Sequence, residues 1–248
     1  MILAIDIGNT NVDFALMSKT GKIKERFSCP SKDKASLARV IAKIKKKQKP
    51  DKIIVVSVAP GALKAVKSYL KKHLPKIPLS VVGSNVSVPL KCEYNKKEVG
   101  QDRLVTAYAA KLLYGSPVLI VDFGTAVTFD AVSKKGAYLG GLILPGIKMS
   151  LTSLSENTSM LPRTVLKEPR TLIAKNTVSS IRAGMIYGYA SMCEGLVKLF
   201  KKKLGKSLKV VATGGDAPII KRHTKSLKKV DLNLSIKGLH LLAIKGQR

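Results

Sequence analysis

A chain of 248 residues, 45% of them hydrophobic, is long enough for one large or two modest α/β domains and too apolar to be disordered throughout. Its 45 Lys and Arg stand against 15 Asp and Glu, a formal charge of +30, but aromatic residues make up only 5% and there is no Trp. With no helix-turn-helix, zinc-finger or RNA-recognition signature, that charge reads as a solvated lysine surface that also attracts phosphorylated substrates, and a nucleic-acid partner is not expected. Cys29, Cys92 and Cys193 are too far apart and too few for a disulfide framework or a structural zinc site. The sequence opens on a strand-like segment with no basic leader, and no apolar run reaches the roughly 18 residues that span a bilayer, so a cytoplasmic protein without membrane attachment is expected.

In chain order, Ile2 to Ile7 and Val12 to Met17 are β-branched apolar runs around Gly8 and Asn9, and they predict a hairpin. Further strands are predicted at Ile53 to Val58, Ser80 to Val82, Val118 to Asp122, Ala126 to Val132, Tyr138 to Leu144 and Lys209 to Thr213. Helical spacing fits Ser36 to Lys46, Gly61 to His73, Asp102 to Tyr114, Thr177 to Leu204 and Pro218 to Lys228. Alternating strands and helices define an α/β protein.

An internal repeat organises this pattern. An apolar strand ending in Asp6, one residue, Gly8, then Asn9-Thr10 and a second strand recurs 116 positions later as Asp122, Phe123, Gly124, Thr125 and another strand. Duplication predicts two similarly built domains, 1–115 and 116–248, joined near Gly115-Ser116-Pro117, with the repeated turns facing a shared interdomain cleft.

A glycine in such a turn removes the Cβ that would hold a phosphate away from the main chain, and backbone N–H groups can then point at the anion. Asn9, Thr10 and Thr125 add neutral donors, while Asp6 and Asp122 beside a phosphate imply a cation to offset their charge. Either turn alone reads more readily as an ordinary hairpin turn, and only the matched pair argues for a ligand. Thr213-Gly214-Gly215-Asp216 after a strand offers a glycine pair to a flat ligand such as adenine, a weak signal alone. Asp102 opens a helix, where a cap and a catalytic base are alternatives of equal weight. His73, His223 and His240 lack metal-ligand spacing, and the stretch Gly184 to Phe200 reads as core or dimer interface.

Together these motifs resemble the phosphate 1, phosphate 2 and adenosine motifs of the superfamily of acetate and sugar kinases, heat-shock chaperones and actin, whose members share two ribonuclease H-like domains. Within it, Val99-Gly100-Gln101-Asp102-Arg103 running on to Ala110, then Val121 to Asp130, Gly140 to Leu151 and Asn176 to Gly188, closely resemble the type III pantothenate kinases. The resemblance implies two actin-like domains with mixed sheets flanked by helices. It also implies transfer of the ATP γ-phosphate to the 4′-hydroxyl of pantothenate, the first step of coenzyme A synthesis. It assigns the ATP phosphates to the loop Asp6, Ile7, Gly8, Asn9, Thr10, Asn11, Val12 and Asp13, the Asp13 side chain carrying no contact of its own, with Thr125 as a further ATP contact. It makes Asp102 the proton acceptor, and gives Gly100, Gln101, Asp102 and Arg103 to pantothenate with Tyr94 and Thr177. Asp122 becomes the ligand of a monovalent cation, K+ or NH4+. Mg2+ would accompany ATP, with Asp6 as a candidate ligand, and Thr177 reaching across a dimer implies a homodimer. A related kinase with another acceptor, or a non-catalytic nucleotide-responsive regulator that binds nucleic acid, are the competing readings.

Overall fold

The computed structural model describes residues 1–47, 49–95 and 98–245. The chain runs β1 (Ile2–Ile7), β2 (Asn11–Met17), β3 (Ile23–Pro30), α1 (Lys34–Lys47), β4 (Lys52–Ser57), α2 (Pro60–His73) and β5 (Leu79–Val81). It continues through α3 (Gln101–Tyr114), β6 (Val118–Phe123), β7 (Ala126–Val132), β8 (Tyr138–Pro145), α4 (Ile147–Glu156) and α5 (Thr177–Leu204). It ends with β9 (Lys209–Thr213), α6 (Ala217–Lys221), β10 (Lys229–Val230) and α7 (Leu234–Lys245).

The residues fall into two compact units, one of Met1–Leu90, Asn95–Ala109 and Asn233–Arg248, the other of Lys91–Tyr94 and Ala110–Leu232. Each carries one five-stranded mixed sheet, ordered β3-β2-β1-β4-β5 in the first and β8-β7-β6-β9-β10 in the second. Both orders follow the same path: two antiparallel hairpins, then parallel pairing of the first strand with the strand after a helix. The repeat read from the sequence is therefore a repeat of topology.

The two Asp-bearing strands show why. β1 and β6 have the same burial pattern, closed on both faces except at the penultimate position, where Asp6 and Asp122 keep some exposure. A strand buried on both sides must be nearly all apolar, so the single carboxylate near its carboxyl end stands out. The hairpins differ by one residue: Ile7 pairs with Val12, whereas Phe123 pairs with Val127. The first core is built on Leu3, Ile5, Phe14, Ile41, Val55 and Val66. The second gathers Val121, Phe129, Ile186, Ala190, Cys193 and Val197 around the long α5. That helix is started by Asn176, whose side chain accepts the Ser179 N–H at 3.0 Å, and stopped by Gly205 at φ 98°.

Several elements differ from the sequence expectation. β3 (Lys24, Glu25 and Arg26 in its middle) is an edge strand whose alternate residues face solvent, so it lacks an apolar run. α4 has no counterpart in the expected helices; it follows directly on the end of β8 at Pro145, with Gly146 as its cap. α6 stops at Lys221 and not near Lys228, because Thr224 Oγ1 and the Lys225 N–H both turn to Glu194 on α5. α7 was not foreseen at all: with Leu234, Ile236, Gly238, Leu239, His240, Leu242 and Ala243 buried, it has almost no polar face to reveal a helical period. None of the helices among the described residues is long and apolar enough to cross a membrane.

Candidate active site

In the first unit, Asp6 and Ile7 end β1, Gly8, Asn9 and Thr10 form the turn, and Asn11, Val12 and Asp13 begin β2. Ile7 and Val12 are fully buried in the core, so only their main chains are available to a ligand. The turn closes with the Gly8 N–H donating to the Asn11 carbonyl at 2.9 Å. Ser31 braces it from the end of β3, its hydroxyl donating to the Gly8 carbonyl at 2.7 Å and its N–H to the Thr10 carbonyl at 2.9 Å. Asn9, Thr10 and Asn11 are exposed on this braced loop.

Gly8 does not have a positive φ. A Cβ built on it would come only within 3.4 Å of the Asn11 carbonyl, an ordinary contact, so the protein itself does not demand glycine here. A demand for it would come from a ligand approaching the main chain. Gly8→Ala is therefore expected to leave the melting temperature essentially unchanged while raising KM for ATP by roughly tenfold, one hydrogen-bond equivalent of about 1.4 kcal/mol. Equal KM values for the two proteins would remove the loop from the phosphate site.

The Gly100 to Arg103 segment belongs to the same unit. The α3 helix starts at Gln101, one residue earlier than expected, so Asp102 lies inside the first turn and not at the cap. Its Oδ1 accepts the Arg103 N–H at 2.8 Å, and the Thr106 hydroxyl donates to its carbonyl at 2.8 Å. A Cβ at Gly100 would lie 2.4 Å from Asp102 Oδ1, so glycine is what permits the carboxylate to fold back over the start of the helix. That contact supplies a physical reason for the Gly-x-Asp spacing. Gln101, by contrast, lies against Gly83, which has φ +83° and whose added Cβ would meet the Gln101 side chain at 2.8 Å.

Asp6 and Asp102 sense one another. Burial, then the Asp102 and Asp13 charges, push the Asp6 carboxyl from its ordinary 3.8 up to about 6, against the lowering effect of a hydrogen bond from Ser235. Asp13 also faces Arg26, with Nη2 to Oδ1 at 3.9 Å. The first unit therefore gathers Asp6, Asp13 and Asp102 around one glycine turn, two of them acting on the charge of the third.

In the second unit, Asp122 pairs in register with Thr128 on β7 and Thr213 on β9. Its carboxylate lies across Gly124 and Gly214: an added Cβ would be 3.2 Å from Oδ1 at the first and 2.5 Å at the second. Gly214, at φ +86°, also presses on the Phe123 backbone, so it is structurally required, whereas Gly215 has no atom near its Cβ position and offers open space. Burial raises the Asp216 carboxyl in this turn, partly offset by Lys148. The Gly146 turn closes on the main chain of Thr125, with an added Cβ only 2.0 Å from its carbonyl oxygen.

Tyr94 lies in the short segment Lys91–Tyr94, which is held to the second unit through Tyr138. Tyr138 donates its N–H to Lys91 at 2.7 Å, accepts the Glu93 N–H at 2.9 Å and meets the Tyr94 ring edge-on. The buried Tyr138 hydroxyl is fixed by Asp130, at 2.6 Å. Thr177 is exposed at the first turn of α5. The structure thus brings together Asp6 to Asp13 with Gly100 to Arg103 in one unit, and Asp122, Thr125 and the Gly214-Gly215 turn in the other; Tyr94 and Thr177 lie elsewhere in the second unit. Sequence reasoning missed Ser31, Ser235 and Tyr138, polar or aromatic residues on elements that carry no motif.

Solved structures match this chain over nearly its whole length. A 2-hydroxyglutaryl-CoA dehydratase component A from Acidaminococcus fermentans is 14% identical with a TM-score of 0.57, covering 98% of this chain and 96% of that one. A candidate 2-dehydro-3-deoxygalactonokinase from Sinorhizobium meliloti is 10% identical with a TM-score of 0.61, at 99% coverage of both. The class is set by the fold these share: an actin-like α/β protein with two mixed sheets flanked by helices.

The sequence comparisons are more particular. Residues 2–199 match the model of the type III pantothenate kinase family, and a type III pantothenate kinase from Syntrophotalea carbinolica is 35% identical over the full length of both chains. The chain belongs to the type III pantothenate kinase family, and is an ATP-dependent kinase; such enzymes use ATP with Mg2+.

Proposed function

We propose that this chain phosphorylates the 4′-hydroxyl of pantothenate with the γ-phosphate of ATP, with Asp102 as the proton acceptor. The supporting observation is the grouping of Asp102 with the Asp6 turn in one unit, in a member of this family. A primary alcohol is a poor nucleophile at neutral pH; a carboxylate within hydrogen-bonding reach accepts its proton as the bond to phosphorus forms. The Arg103 N–H holds Asp102 Oδ1 at the start of α3 and so fixes the orientation of the carboxylate. Arg103 carries a planar fork suited to the pantothenate carboxylate, and Tyr94 and Thr177 are the further pantothenate contacts.

Main-chain N–H groups of the exposed turn residues Asn9 and Thr10 would receive the ATP phosphates, and Thr125 a further part of the nucleotide. Among the described residues no three acidic, His or Cys side chains form a ready metal cage. Mg2+ is usually held by one or two carboxylates and the substrate phosphates. Asp6 is the carboxylate to hold it: the repulsion from Asp102 and Asp13 is what a divalent cation would offset. Mg2+ bound there would neutralise charge on the transferring phosphate. Asp122 would hold a monovalent cation, K+ or NH4+. Homodimerisation, cytoplasmic placement and absence of a nucleic-acid partner belong to the same proposal.

An acceptor panel tests this. With ATP and Mg2+, ADP release is expected with pantothenate and not with sugars or acetate, and to depend on K+ or NH4+; light scattering on the same preparation is expected to give a dimer. Turnover with a sugar and none with pantothenate would select a related kinase. Salt-sensitive DNA binding with no turnover of any acceptor would select the regulator.

A further inference from the structure

We infer that Ser235, in the first turn of α7, is a positioning residue for Asp6 and makes the C-terminal helix part of the phosphate site. The inference rests on the assignment of Asp6 to the Mg2+·ATP complex. It concerns a segment beyond the residues that match the family model, which ends at 199.

The Ser235 hydroxyl donates to Asp6 Oδ2 at 2.5 Å, across 229 positions of sequence. A carboxylate at the end of a strand can rotate about its terminal bond; a donor on one oxygen fixes its plane and so directs the other oxygen. Serine does this without bringing a charge, so the carboxylate keeps its full attraction for a cation. A lysine at the same place would compete with the metal.

Ser235 can act this way because α7 is rigidly seated. Its neighbours Leu234 and Ile236 are buried, as are Leu239 and Leu242 farther along. Gly238 presses on α3: a Cβ there would stand 2.6 Å from the Val105 carbonyl oxygen. The helix therefore leans on the element that carries Asp102 while its first turn holds Asp6. Just before it, Asn233 accepts a hydrogen bond from Arg26 Nη1 at 2.5 Å, and the same guanidinium faces Asp13. Both carboxylates that flank the turn are thus tied to the start of α7, one directly and one through Arg26.

The experiment compares wild type, Ser235→Ala and Ser235→Thr. Calorimetric titration with MgATP, in the absence of any acceptor, is expected to show roughly tenfold weaker binding for Ser235→Ala and recovery to within about twofold for Ser235→Thr, the usual size of effects from a group that orients a metal ligand. In turnover assays the Mg2+ requirement of Ser235→Ala rises by a similar factor while KM for pantothenate stays within about twofold. Unchanged MgATP binding by a folded Ser235→Ala, or a Ser235→Thr that binds no better than Ala despite a wild-type melting temperature, would overturn the inference. If wild type binds MgATP but does not phosphorylate pantothenate, the acceptor assignment fails and the calorimetry still decides the role of Ser235.

Discussion

Replacing Asp102 by Asn is expected to lower kcat by roughly 10²- to 10⁴-fold, the range that a positioned general base supplies, with little change in ATP binding or folding. The amide is nearly isosteric with the carboxylate. Its oxygen can still accept the Arg103 N–H, and Gly100 leaves the same space for it. What it loses is basicity, so the alcohol must attack phosphorus with no acceptor for its proton. A fall in kcat at constant KM for ATP marks an interaction made only in the transition state. A variant turning over pantothenate at the parental rate would show that the proton leaves by another route.

The Asp6→Asn variant is expected to be more stable than wild type and inactive. Asp6 has a folded-state pKa of about 6 against an ordinary 3.8, chiefly from burial. Its raised value means that the folded state holds the proton more tightly than the unfolded chain does. The associated stability is fully present below about pH 4 and is lost as pH rises through about 6, a difference on the order of 3 kcal/mol. At about pH 7.5 wild type without metal therefore carries an unfavourable buried charge. Asn removes it while still accepting the Ser235 hydroxyl, so the melting temperature should rise by several degrees at pH 7.5 and by much less at pH 4.5. Activity should vanish with the cation-binding charge, as expected of a site that sacrifices stability for function. Asn lowering the melting temperature at both pH values would show that the carboxylate is not the strained group.

Much of this was legible because the duplicated strands are buried on both faces. In such a strand nearly every residue must be apolar, so Asp6 and Asp122 break the pattern visibly, and the following glycines mark the turns. Asp102 was legible as a residue of interest through its Gly-x-Asp-Arg setting, although α3 begins one residue earlier and the cap role goes with that shift. What could not be read lies where polar and apolar periods fail. The strand β3 alternates charged residues toward solvent at a sheet edge, and α7 is buried nearly all round. Ser235 resembles any serine at a helix start, and only the return of α7 to β1 reveals that it reaches Asp6. The glycines serve different ends that their motifs do not distinguish: Gly214 is needed by the backbone, Gly100 by a side chain, and Gly8 by neither.

The central claim is that the group around Asp6 and Asp102 delivers a phosphoryl group from ATP to an alcohol of pantothenate, and phosphorus NMR of the reaction mixture tests it most directly. With ATP, Mg2+, K+ and pantothenate, the γ-phosphate signal should decline as a phosphomonoester signal of 4′-phosphopantothenate appears, and both changes should slow by roughly 10²-fold or more with Asp102→Asn. Release of inorganic phosphate with pantothenate left intact, or product formation undiminished in the variant, would contradict the account.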